Sequence, residues 1–199
     1  MIKTKPHRSV FKRFFSLAAI LALVSCASSS PTVNEKLDPN TGVTVTFART
    51  PLVLYRDNPS QAAYARNYVH LGPIQVNRSG MYRYYLWIGI WNTMQVANMS
   101  EHRDGFDSIV VFADGEPLTL ELAGWTPESI GASEPTYLKP VASTADAYYE
   151  VTADQIRLIA DASDIRVQAT GTSPREFQLW DQQTAARSSL SEFLYRALL

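Results

Sequence analysis

The sequence predicts an α+β fold, a mostly antiparallel sheet of about eight or nine short strands with two or three helices packed on one face. Three observations lead there. Apolar and polar residues alternate over short runs bounded by Gly, Pro and Asn, the pattern of half-buried strands. Asp114-Gly115 joins two such runs as a hairpin turn. Helical periodicity is confined to late stretches that follow strands without regular β-α-β alternation, which argues against a parallel sheet. The 199 residues, 46% hydrophobic and with a net charge of −1, suffice for one domain with a real core and exclude intrinsic disorder.

Residues 1–25 read as an export signal. Lys3, Lys5, Arg8, Lys12 and Arg13 precede the apolar run Phe14–Val24, and no acid interrupts them. That run, as a helix, rises roughly 16 Å against a hydrocarbon core of about 30 Å. It is too short to span a bilayer and fits a cleaved signal. Its end is more specific. Leu23-Val24-Ser25-Cys26 resembles the lipobox of bacterial lipoproteins, a resemblance that covers residues 1–26 and says nothing of the rest. It implies cleavage between Ser25 and Cys26, a diacylglyceryl group on the Cys26 thiol, and attachment to a membrane through that anchor. Each buried methylene of the acyl chains contributes about 0.8 kcal/mol, and two or more chains make the attachment stable. Ala27, standing where an Asp would imply retention at the inner membrane, implies by the same resemblance the outer membrane, facing the periplasm. Cys26 is the one Cys of the chain, so the processed protein has no disulfide and no Cys-based metal or redox site.

Residues 26–42 are expected to be the lipidated Cys and a flexible tether, because Val33 and Leu37 are the only large aliphatic side chains in the stretch. A single folded domain is expected over 43–199. Strands are predicted at 43–48, where Val43, Val45 and Phe47 alternate, at 52–55, at 67–76 and at 81–92, the last two joined by a turn at 77–80. Asn58-Pro59 is read as the start of a short helical turn. Around Asp114-Gly115, Ala113 should pair with Glu116, Val111 with Leu118 and Ile109 with Leu120, and Pro117 requires a sheet edge. A loop over roughly 124–145 leads to a strand at 147–151. Thr152-Ala153-Asp154-Gln155 is a capping box that opens a helix, with Val151 stapling onto Ile156. Strands at 165–169 and 177–180 precede a last helix from about Gln182, striped by Ala186, Leu190, Phe193, Leu194 and Ala197.

Motifs that carry chemistry are scarce. The nucleophile elbow, the phosphate-binding loop, the dinucleotide fingerprint and the His-Glu-x-x-His zinc pattern are all absent, and no cofactor is expected. His70 and His102 are the two histidines beyond the signal; His70 reads as a sheet residue. The polar cluster Glu101–Asp107 has the wrong spacing for an EF-hand, and Arg103 places a cation inside it, so it reads as a solvated loop. Nucleic acid is excluded as a partner by an export signal and by 13 basic against 19 acidic residues over 26–199. The aromatic strand 82–91 offers the one candidate binding surface. Arg83, Tyr85, Trp87 and Trp91 share a face that Gly89 opens, although a strand so apolar on both faces is more often core than platform.

The expected protein is a non-enzymatic, lipid-anchored binding or structural component of the cell envelope, with an envelope protein or glycan as partner. Two alternatives remain open: a small periplasmic hydrolase with an unrecognised site, and an inhibitor or immunity-type lipoprotein.

Overall fold

The computed structural model describes residues 31–94, 100–171 and 173–198. The signal segment and Cys26 lie outside the described residues, and Thr32–Leu199 forms one compact unit. The described strands are β1 (Val33–Leu37), β2 (Thr44–Ala48), β3 (Leu52–Asp57), β4 (Arg66–Arg78), β5 (Met81–Asn92), β6 (Ser108–Ala113), β7 (Glu116–Gly124), β8 (Ala145–Val151), β9 (Ile165–Ala169) and β10 (Arg175–Leu179). The helices are α1 (Ser100–Arg103), α2 (Ala153–Asp161) and α3 (Thr184–Ala197), with a 3-10 turn at Pro127–Ile130.

The sheet closes on itself. Antiparallel pairing runs β3–β4–β5–β8–β7–β6–β9–β10 and returns from β10 to β3, giving an eight-stranded barrel. This corrects the expected fold class, because the barrel has no open face for helices to cover. Instead α2 and α3 sit at one end, next to the strand ends at Leu52, Val151 and Ile165. Ile156 and Ile159 of α2 and Leu190 and Phe193 of α3 join the same core as the inward side chains Leu54, Val69, Leu71, Leu86, Ile88 and Val111. The other end carries α1 and the loops around residues 58–65 and 104–107.

Strand β4 is long enough to take two neighbours on one side. Its first half pairs with β3, from Asp57↔Arg66 to Leu52↔Leu71, and its second half with β2, from Phe47↔Ile74 to Thr44↔Asn77. Gly72 and Pro73 stand at the switch between them. β1 pairs with β2, so the flap β1–β2 extends the wall beyond the barrel. Residues 33–42, expected as part of a flexible tether, are instead strand and turn. Val33, nearly fully buried, enters the core there. The helical turn expected after Asn58 is a run of turns with no helix.

Local chemistry accounts for the elements that match. Asp114 (φ 49°) and Gly115 (φ 92°) form the tight turn, and Ala113↔Glu116, Val111↔Leu118 and Ile109↔Leu120 pair as the turn type requires. Pro117 lies in the part of β7 that β8 does not reach, since β8 pairs with β7 only at Leu122 and Gly124. Ser79 (φ 52°) and Gly80 (φ 87°) turn β4 into β5. Thr152 and Gln155 bond reciprocally to each other's backbone N–H, completing the capping box of α2.

Candidate functional site

The outer wall formed by β3, β4 and β5 is rich in aromatic rings, and the described residues cover only part of it. Antiparallel register sets the arrangement: opposed residues share a face, and interior residues Leu54, Val69 and Ile90 alternate with exterior ones. Ile74, Val76, Tyr85 and Trp87 point outward in one half, Tyr55, Tyr68 and Trp91 in the other.

The first half is sealed by the segment between β7 and β8. Trp87 is fully buried, stacks on Tyr137 at 4.4 Å between centroids, and donates its Nε1–H to Asp146 Oδ1 at 3.0 Å. Lys139 neutralises that carboxylate from 2.8 Å. Two glycines make room. A Cβ at Gly89 would lie 2.5 Å from the Trp87 ring, and one at Gly72 would lie 2.4 Å from the Tyr137 ring, whose hydroxyl donates to the Pro73 carbonyl at 2.9 Å. Asp38, in the β1–β2 turn, pins the covering segment by accepting from the Ser133 N–H and, at 2.8 Å, from its hydroxyl. These bonds, led by the backbone N–H of Ser133, hold the Asp38 carboxyl well below the usual carboxylate range.

Among the described residues no such segment covers the second half. Tyr55 of β3 opposes Tyr68 of β4, which opposes Trp91 of β5. Tyr68 is sandwiched between Trp91, at 4.3 Å and 13° between planes, and Trp180, at 5.9 Å and 29°. Tyr55 meets Trp180 edge-on at 5.1 Å. Arg66 lays its guanidinium over Tyr55 (5.2 Å) and Trp180 (5.3 Å) and pairs with Asp57 at 2.9 Å; this bond raises the Arg66 pKa. Trp180 is 37% exposed, while Tyr55, Tyr68 and Trp91 are half-buried. His70 meets Trp91 edge-on at 5.9 Å, and burial pushes its pKa down to about 4, so the ring is neutral at neutral pH. The buried Nε2 of His70 and Nε1 of Trp91 have no hydrogen-bond partner.

The four residues proposed as one platform are thus separated. Tyr85 and Trp87 lie under the covering segment, and the opening left by Gly89 is filled by the ring of Trp87 itself. Arg83 is exposed and lines a cleft with Arg78, Met81 and Ile130. Trp91 alone joins the open aromatic surface. Tyr55, Tyr68, Arg66 and Trp180, which complete that surface, come from two strands and the end of β10, and only the register brings them together. His70 is on the outer wall and His102 lines a recess at the barrel mouth, so the histidines do not share a site. Among the described residues no group of three or more His, Cys, Asp or Glu could hold a metal ion, and no helix is long and apolar enough to cross a membrane. Ser25 and Cys26 lie outside the described residues.

No known protein family, curated protein or solved structure shows a significant match to the chain.

Proposed function

We propose that the protein is a lipid-anchored component of the bacterial cell envelope, held at the outer membrane through Cys26 and facing the periplasm, that binds a partner protein without catalysing a reaction. The observation that carries the binding role is the division of one aromatic wall. A whole segment, with Tyr137, Asp38 and Lys139, covers Trp87, whereas among the described residues no such segment covers the stack of Trp91, Tyr68 and Trp180, and Trp180 is 37% exposed. Trp, Tyr and Arg are the side chains that dominate protein–protein contacts. A protein is favoured over a glycan because the rings use their faces on one another. Tyr68 has a Trp on each side and Trp180 lies under Arg66, which leaves little ring face for a sugar to stack on.

The location rests on the residues before the barrel and has its own test. Cys26→Ser should abolish incorporation of labelled fatty acid and block cleavage after Ser25, leaving a larger precursor. Metabolic labelling followed by gel electrophoresis and membrane fractionation reads both effects. A Ser variant that is processed to the wild-type size and still fractionates with membranes would remove the anchor from the account.

A further inference from the structure

At the barrel end opposite α2 and α3, the interior lining changes from aliphatic to polar within one residue row. Arg56, Asn67 and Asn92 oppose one another across β3, β4 and β5, on the same face as Leu54, Val69 and Ile90 one step deeper. Arg175 opens β10 on the inward face, opposite the fully buried Ala169. These side chains, with His102, line a recess of about 140 Å³, and among the described residues its wall contains no acid. At about 30 Å³ per water, that is room for roughly four or five waters, or for one small polyatomic ion.

Among the described residues, neither Arg56 nor Arg175 belongs to an ion pair, although the barrel's other charged pairs are made at ordinary distances. Arg175 is half-buried; its guanidinium donates to the backbone carbonyl of Asp104 and lies 5.3 Å from the Phe106 ring centre. Burial lowers the Arg175 pKa; the charge of Asp104 opposes that shift, and the like charge of Arg56 adds to it. The amides are preorganised around this pair. Ser60 donates to Asn58 Oδ1 at 2.6 Å, and Asn58 donates to Asn67 Oδ1 at 3.4 Å, which leaves the Asn67 amide hydrogens free to face a ligand. Asn92 is 9% exposed, and its buried Oδ1 has no hydrogen-bond partner. A ligand that suits this recess carries an oxyanion for two guanidinium forks and an O–H for an orphaned acceptor.

We infer that the barrel mouth is a binding site for a phosphate-type oxyanion, held between Arg56 and Arg175 with Asn67 and Asn92 completing the shell. Phosphate at neutral pH has both the charged oxygens and the O–H that the recess asks for. The assignment is independent of the outer aromatic surface, since it uses the opposite face of the same strands. The phosphomonoester head of a lipid or sugar presents the same charged oxygens, with a neighbouring hydroxyl of the lipid or sugar in place of the O–H of free phosphate.

Isothermal titration calorimetry of the full chain, purified in a non-ionic detergent, with inorganic phosphate as probe tests it. Saturable binding is expected, weakened at least tenfold in Arg56→Gln and in Arg175→Gln and unchanged in Arg66→Gln, whose guanidinium lies on the outer wall. A melting curve for each variant separates lost binding from lost fold, and Arg56→Gln decides if Arg175→Gln does not fold. Glycerol phosphate binding as well as inorganic phosphate would support the site with an ester as its ligand; inorganic phosphate alone would support it with the free ion. No saturable phosphate binding by the wild type, equal weakening in Arg66→Gln, or acetate binding as tightly as phosphate would overturn it.

Discussion

Trp87→Ala is expected to destabilise the folded chain by about 3–5 kcal/mol, the range for removing a large aromatic side chain from a core. Several losses coincide. The indole is fully buried, its face is stacked on Tyr137, and its Nε1–H satisfies Asp146. Truncation leaves a cavity against Gly89, which has no side chain to fill it, and strips a buried carboxylate of one of its donors. Against a typical total of about 5–15 kcal/mol, the variant should melt far earlier or fail to accumulate. Chemical denaturation of the wild type and the variant measures the difference. A cost below about 1 kcal/mol would mean that Trp87 is exposed in solution and that the segment carrying Tyr137 does not cover it.

Phe193→Ala should cost a similar amount, about 3–5 kcal/mol, for a different reason. Phe193 is fully buried on the face of α3 that also carries Ala186, Leu190 and Ala197, and this helix closes one end of the barrel. Gln75 of β4 donates to the carbonyl of Ala197, and Gln183 bonds to both backbone groups of Val53, so the helix is held at its two ends while the aromatic ring plugs the middle. For a domain of this size the melting midpoint should fall on the order of 10 °C. Leu158→Ala, on the half-exposed side of α2, is the matched control and should cost much less. Equal melting curves for Phe193→Ala and the wild type would show that α3 is not part of the core.

Much of the local structure was legible from residues alone. Asp-Gly demands two positive φ angles, so the β6–β7 register followed from the turn, and the Thr-x-x-Gln capping box placed the start of α2. The alternation in 81–92 correctly sorted Leu86, Ile88 and Ile90 from Tyr85, Trp87 and Trp91. What failed depends on contacts distant in sequence. Closure of the barrel rests on β10 meeting β3 through Gln178↔Tyr55 and Leu179↔Leu54, a pairing of residues more than a hundred positions apart that leaves no mark on either strand. β1 reads as tether because only Val33 is buried on it; its order comes from pairing with β2. The open aromatic surface was hidden for the same reason. Trp91 was visible as part of an aromatic strand, but Tyr55, Tyr68 and Trp180 acquire meaning only once three strands and the end of a fourth lie side by side. The glycines at 72 and 89 suggest close approach, yet nothing nearby in sequence says that Tyr137 and Trp87 are what approaches them.

The central claim is that a tethered barrel holds a partner protein on its uncovered wall, and site-specific photo-cross-linking in intact cells measures it most directly. A photoreactive phenylalanine analogue placed at Trp180 reports on the aromatic stack, and the same analogue at Glu121, exposed on β7 across the barrel, reports on the opposite wall. The account predicts a discrete, protease-sensitive adduct from position 180 that is absent from position 121 and is lost when Cys26→Ser removes the anchor. No adduct from position 180, or the same adducts from both positions, would contradict it.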